Sequence, residues 1–388
     1  MTTLIAGYAY VRENFFATFR HYPEKENLYF LLPKSWKIKG GKVIYHPPSD
    51  PNVFTANAYF HHSRYPVIGG LLKGWLPAFP LVAWRLKRNQ QLRLVYTPSE
   101  PILLTTLYQA LWAKLFGLKH VFFSWENIPY RQKLKGLKGA LQKVVLKLNI
   151  ALSDGIICGN SKCLEIFSAL TQKPLVQIPL SGLDMDYFSS QSGAKRFRDL
   201  DLENKLVFTF VGAIGIRKGI NLMVEAFKAV LAEFPHSFLI IAGSGEGERE
   251  IETLIEKHNL GEKIIRHSWL NHKELKELLN ASDVFLYPSL PYQGWEEQFG
   301  YAMAEASLMK LPVISTFSGS ITDVVKDNQT GILVEPNDSQ ALQRAMFKLA
   351  SDEGLRRKLG RAGRQFIAEN FSQRVIAEKF HNFFRRFQ

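Results

Sequence analysis

The 388-residue chain has only two cysteines, Cys158 and Cys163, five positions apart and outside any metal-spaced set. That scarcity excludes a disulfide-stapled secreted scaffold and points to reduced thiols. Long uninterrupted apolar runs are also missing. The strongest stretch, 67–84, is broken by Lys73, Pro77 and Pro80 and makes a poor membrane span. The first ten residues hold neither a basic segment nor a small-residue cleavage site, so no signal peptide is expected. The expectation is therefore a cytoplasmic protein, peripheral on the inner face of the membrane. No short internal repeat is present. With 46% hydrophobic and 22% charged residues, the composition excludes a disordered or collagen-like chain. The length suits two domains.

Acidic residues are scarce in one half only. Residues 1–190 hold 23 Lys+Arg against 10 Asp+Glu, whereas residues 191–388 hold 26 against 25. Almost all of the formal charge of +14 thus belongs to the first half. A uniformly basic chain would suit nucleic-acid coating; one basic half beside a neutral one suggests division of labour. Within 131–148, Leu134, Leu137, Leu141, Val144, Val145 and Leu148 share one side of a helix and the lysines mostly take the other. That pattern fits either a solvated helix over a core or a helix lying on an anionic membrane. Trp75, Phe79 and Trp84 beside Arg85, Lys87 and Arg88 tilt the reading to membrane contact. No recognised binding motif accompanies the charge, so nucleic acid is not an expected partner.

Short β-rich runs alternate with helical segments, as in parallel sheets built from βαβ units. Strands are expected at 4–10, 28–32, 92–96, 120–124, 155–158 and 176–179, then at 206–211, 237–242, 263–267, 284–287, 312–315 and 331–334. Helices are expected at 102–116, 133–149 and 221–234, and from 338 to the end with breaks near Asp352 and Asn370. The poorly periodic stretch 189–204 reads as a linker. The fold class is α/β: two doubly wound domains, 1–190 and 191–370, with a C-terminal helix, 371–388, returning toward the first.

Ligands of such sheets bind beyond the carboxyl ends of the strands. Three strand-to-helix turns of the second half draw attention. The first runs Gly212-Ala-Ile-Gly215-Ile-Arg217-Lys218-Gly219, glycines beside two cations, suited to a diphosphate at a helix start. The second, Ala242-Gly243-Ser-Gly245-Glu-Gly247, has the wrong spacing for a dinucleotide fingerprint and reads equally well as a tight turn that brings two backbones together. The third follows Tyr287-Pro288-Ser289 and reads Gly294-Trp-Glu296-Glu297-Gln298-Phe299-Gly300, then Tyr301-Ala-Met-Ala-Glu305. Glu297 falls ahead of a helix whose first amides, near Phe299 and Gly300, can hold a phosphate oxygen. Glu305 stands in an otherwise apolar run, where a buried unpaired charge is costly and a sugar diol would satisfy it.

On these residues the chain resembles retaining glycosyltransferase family 4, of the GT-B fold. The family's Glu-x7-Glu signature matches Glu297 and Glu305. Arg217-Lys218-Gly219, Gly243-Ser-Gly245, Ser282 to Ser289, Pro312 to Ser315, Gln329 to Asp338 and Ile178 to Phe188 follow in the family's order, over about 175–370. The resemblance implies two domains facing across a cleft, the first for the acceptor and the second for a nucleotide sugar. It implies Glu297, Lys218 and Arg217 as catalytic, Glu305 on the nucleotide ribose, and Phe299 and Gly300 on the diphosphate. Donor contacts at Gly212, Gly215, Gly243, Gly245, Ser289 and Gln298 follow in the same way. On the acceptor side Glu126 and His120 are the nearest candidates. Departures are Ala213, where the family often has Arg, Lys310, where it usually has Gly, and Gly319-Ser320 for Gly-Gly.

The implied reaction is retaining and metal-independent. A sugar moves from a nucleoside diphosphate, UDP- or GDP-linked, to a hydroxyl of a saccharide or lipid-linked acceptor in envelope polysaccharide or glycolipid synthesis. No cofactor is implied. Asp184-Met-Asp186 and Asp199-Leu-Asp201 read as incidental rather than as metal sites. A sugar-nucleotide epimerase on the same scaffold is one alternative. A non-catalytic membrane- or nucleic-acid-binding protein with a degenerate transferase domain is another, kept open by Ala213 and Lys310.

Overall fold

A computed structural model describes residues 1–38, 41–43, 47–48, 50–61, 68–189 and 195–388. Residues 190–194, which hold the expected domain boundary and part of the expected linker, lie outside the described residues, as does Val67. The chain divides into two compact units, Met1–Leu183 with Gln373–Gln388, and Asp184–Ser372.

In the first unit β1 (Thr3–Ala6), β2 (Leu28–Pro33), β3 (Val53–Ala56), β4 (Leu94–Thr97), β5 (Lys119–Ser124), β6 (Gly155–Cys158) and β7 (Leu175–Gln177) form one parallel sheet in the order β3-β2-β1-β4-β5-β6-β7. Their β-branched and aromatic runs are buried on both faces, as parallel sheets require. Strand β3 was not expected. It is an edge strand with three of its four residues only partly buried, so its apolar signal is weak. Conversely, the strand expected at 4–10 stops at Ala6, and Ala9–Val11 turns into a 3-10 helix.

Helices α1 (Phe79–Gln90), α2 (Leu104–Leu115) and α3 (Gly136–Leu152) cross back along this sheet, α1 against α2 and α2 against α3. Their connections run in one direction across the sheet, so right-handed crossovers place all three on one side. Phe79, Ala83 and Leu86 of α1 and Ala113 of α2 join Leu4, Leu31 and Val95 in the core. Helix α3 buries Gly139, Val145, Leu146 and Asn149; of the expected stripe Val145, and Leu134 ahead of the helix, turn inward, while Leu137, Leu141, Val144 and Leu148 stay exposed. The final helix, Gln373–Phe384, packs Phe380 on Phe19 and Tyr96, with ring centroids 5.2 and 5.7 Å apart.

The second unit repeats the plan. Strands β8 (Leu206–Val211), β9 (Ser237–Ala242), β10 (Ile264–His267), β11 (Val284–Tyr287), β12 (Val313–Thr316) and β13 (Gly331–Val334) are parallel in the order β10-β9-β8-β11-β12-β13. Each sheet therefore reverses its winding once, between β1 and β4 and between β8 and β11. Those are the positions where such folds open a crevice. Among the described residues no helix is long and apolar enough to cross a membrane.

Candidate active site

At the switch point of the second unit, β8 leads through Gly212–Gly215 into the 3-10 turn Ile216–Lys218 and then α4 (Ile220–Glu233). Gly219 joins turn to helix at φ +62°, and a Cβ there would lie 2.1 Å from the Pro288 carbonyl oxygen. Only glycine lets the turn lie this close to the end of β11. Lys218 is thereby buried, and its ammonium donates to the Tyr287 hydroxyl and to a carboxylate oxygen of Glu297. Glu297 is itself buried, in the loop after β11. Gln293 and Gly294, both at positive φ, form a mirror-image tight turn in which Tyr292 and Trp295 exchange backbone hydrogen bonds of 2.9 Å. The turn sets the Trp295 ring 4.1 Å from the Arg217 guanidinium and 5.0 Å from the Lys218 ammonium.

Burial depresses the Lys218 pKa, with the Arg217 charge acting the same way and Glu297 opposing both. Burial and then the Glu297 charge hold the Tyr287 phenol well above its ordinary value. The Glu297 backbone is pinned too: its carbonyl accepts the Ser320 amide at 2.8 Å, and Gly319, at φ +58°, would put a Cβ 2.1 Å from that same oxygen.

Helix α5 (Tyr301–Leu308) starts from Gly300 at φ +77°, with no side-chain cap. Phe299 is buried against Phe371, 5.1 Å between centroids. Glu305 is half-buried among Met303, Ala304 and Ala306, and burial pushes its carboxyl up to about 8. Among the described residues this carboxyl has no hydrogen-bond or ion-pair partner, and its charge acts on the Tyr287 phenol. Gln298 is half-buried. Ser289 is buried, and its hydroxyl donates to the Arg217 carbonyl at 3.1 Å, as the Leu290 amide does at 2.8 Å. A Cβ at Gly243 would lie 1.8 Å from the Gly212 carbonyl oxygen, and one at Gly245 2.0 Å from that of Ile214. These glycines let the loops after β8 and β9 run backbone on backbone. Lys310, in place of the family's usual glycine, takes φ +63°.

Glu126 and His120 lie in the first unit. Glu126 follows β5, is buried, and pairs with Lys133 at 2.7 Å. His120 sits within β5 with both ring nitrogens engaged, Nε2 on Thr97 Oγ1 at 2.9 Å and Nδ1 on Ser153 Oγ at 2.8 Å. Burial drives its pKa down to about 3, so this ring stays neutral. At the first unit's switch point stands Glu100, which accepts the Ser124 hydroxyl and the Trp125 amide, both at 2.7 Å; burial raises its carboxyl to about 7. Sequence reasoning gave no site role to Glu100, Tyr287, Trp295 or Gly319. The signal for Glu100 was an acid just past a strand, in Thr97-Pro-Ser-Glu100; for Trp295, the Gln-Gly turn before it.

Residues 193–366 match the family model of glycosyl transferases group 1. Over this stretch, a little under half of its length, the chain is similar to the glycosyl transferases group 1. It is 29% identical over 189 residues to the capsular polysaccharide biosynthesis glycosyltransferase CapM of Staphylococcus aureus, covering 48% of this chain and 47% of CapM. To the uncharacterized glycosyltransferase MJ1069 of Methanocaldococcus jannaschii it is 24% identical, covering 95% of this chain and 92% of that one. The chain spans about half the length of the first curated relatives it matches. Among solved structures, HepE of Anabaena in complex with UDP matches all of both chains with a TM-score of 0.76 at 15% identity. That likeness establishes the fold, GT-B, as the resemblance in sequence implied.

Proposed function

We propose that the protein transfers a sugar from a nucleoside diphosphate to a hydroxyl of a saccharide or lipid-linked acceptor, with retention and without a metal ion. The carrying observation is the buried Lys218–Glu297 pair at the switch point of the second unit, with an uncapped helix start and Glu305, which has no partner among the described residues. In the reaction the bond from the anomeric carbon to the diphosphate breaks and its electron pair leaves with the phosphate. The acceptor oxygen bonds to the same carbon and its proton passes to the departing diphosphate. Lys218, Arg217 and the first amides of α5 face the growing negative charge, the role a metal fills elsewhere. Glu305 accepts the two ribose hydroxyls, and Glu297 the hydroxyls of the sugar being moved.

The likeness to HepE, solved with UDP and with UDP-glucose, supports a uridine donor, and CapM supports an acceptor in polysaccharide synthesis. The test is calorimetry with UDP and GDP, followed by a screen of UDP- and GDP-sugars with EDTA present. The expected result is binding of one nucleotide and acceptor-dependent release of that diphosphate. Binding of neither nucleotide overturns the reading. Conversion of the sugar without any acceptor shows an epimerase.

A further inference from the structure

The leucine stripe of α3 faces outward. Leu137, Leu141, Val144 and Leu148, spaced i, i+4, i+7 and i+11, lie on one face, and Leu137 is 92% exposed. Neighbouring helices add to this surface. Leu111 and Leu115 of α2 are exposed, Leu115 at 72%, and so are Leu81 and Trp84 of α1. The Arg88 guanidinium lies 4.9 Å over the Trp84 ring. A soluble surface rarely concentrates its large apolar side chains in this way.

The same three helices contain no acidic residue. They carry Arg85, Lys87, Arg88, Lys114, Lys138, Lys143 and Lys147. Between positions 79 and 152 the only acids are Glu100 and Glu126, at the strand ends described above. On α3 the lysines flank the leucine stripe instead of interrupting it, which is the arrangement of an interfacial helix.

We propose that the outer face of α1, α2 and α3 docks on an anionic lipid bilayer. Leu137, Leu141, Val144, Leu148, Leu115 and Trp84 enter the headgroup–acyl boundary, while the lysines and arginines reach the lipid phosphates. Charge decides against a second copy of this face, which would set cation on cation. Nucleic acid would engage the lysines but leave the exposed leucines in water. The inference is independent of which donor the second unit takes.

The experiment uses the full chain and sedimentation with vesicles of phosphatidylglycerol and phosphatidylcholine, against phosphatidylcholine alone, at low and high salt. Binding to the anionic vesicles alone, weakened by salt, is expected. The pair Lys143→Gln with Lys147→Gln weakens it roughly 25-fold, about fivefold per charge removed. Leu141→Ser with Leu148→Ser weakens it at least tenfold at unchanged charge; both sites are exposed, so folding is kept. Because Cys158 and Cys163 are buried, a polarity-sensitive dye goes onto Leu141→Cys, with Lys273→Cys in the second unit as control. A blue shift at position 141 but not at 273 is expected. No vesicle binding at low salt, or binding indifferent to all four substitutions, overturns the proposal. So does a self-associated species that the leucine variants break, or a duplex DNA complex that the leucine variants leave intact in place of vesicle binding.

Discussion

Lys218 and Glu297 form a buried ion pair in which the lysine also donates to Tyr287, and each charge has lost its water. Removing one partner strands the other. Lys218→Ala is expected to cost about 3–5 kcal/mol of stability, because the Glu297 carboxylate is left buried and unpaired. The double variant Lys218→Met with Glu297→Met returns most of that stability, since neither charge then remains. Activity does not follow: turnover falls by about 100-fold or more in both variants if the ammonium acts on the leaving diphosphate. Denaturant titration beside donor turnover separates the two roles. Recovery of turnover in the double variant would show the pair to be structural only.

Trp295 covers Arg217 and Lys218 at once, so it holds two cations ready for an anion. Each cation–π contact is worth about 1 kcal/mol in a half-buried setting. Trp295→Ala is therefore expected to raise the donor KM roughly tenfold and to change kcat by less than about threefold. Trp295→Phe keeps most of the affinity. Steady-state kinetics against donor concentration reads both constants; a kcat loss with unchanged KM would mean that the ring orders Lys218 in the transition state instead.

Glu305 couples stability to pH in the direction opposite to an ordinary carboxylate. Its folded pKa of about 8 lies above the unfolded value, so the folded protein holds that proton more tightly. Stability from this group is full below the unfolded pKa, near 4, and is lost as pH rises through 8. Glu305→Gln is thus expected to make the ligand-free protein more stable at pH 8.5, by about 2 kcal/mol once partial solvent access is allowed for. The same change weakens nucleoside diphosphate binding by about tenfold or more, because hydrogen bonds to an ionised acceptor are lost. Thermal melts at pH 6 and 8.5, with and without nucleotide, show the crossing. A variant no more stable than the parent at pH 8.5 contradicts the raised pKa.

The second unit was legible because its strands are central, apolar and separated by amphipathic helices, so β8, β9, β11 and β13 fall where the runs end. Glu305 stood out for a local reason, an acid in an apolar run, and Glu297 for its place just ahead of a helix start. Tyr287 and Trp295 did not, because aromatic residues near a strand end read as core, and their part depends on Lys218, some 70 positions earlier in the chain. Gly319 is silent for the same reason, since its need for φ +58° comes from the distant Glu297 backbone. Helix α3 shows a further limit. Periodicity put Val145 on the same side as the leucines, but only packing reveals that Gly139, Val145 and Asn149 turn inward while Leu137, Leu141, Val144 and Leu148 do not.

His120 gives the clearest contrast between a residue type and a role. Its folded pKa of about 3 lies below the unfolded value near 6.5, so the folded ring refuses a proton that the unfolded chain accepts. Stability from this group is full above 6.5 and is lost as pH falls toward 3, at up to about 1.4 kcal/mol per pH unit. His120→Gln is expected to lower stability at pH 7 by about 1–3 kcal/mol, through the broken bonds to Thr97 and Ser153. The gap to the parent then narrows as the pH drops to 4. Because the ring does not titrate between pH 6 and 8, kcat/KM against pH keeps its shape in the variant. Denaturation at pH 7, 5.5 and 4 beside that profile tests both statements. Loss of an activity limb near pH 6.5 on substitution would make His120 an acid–base group despite its burial.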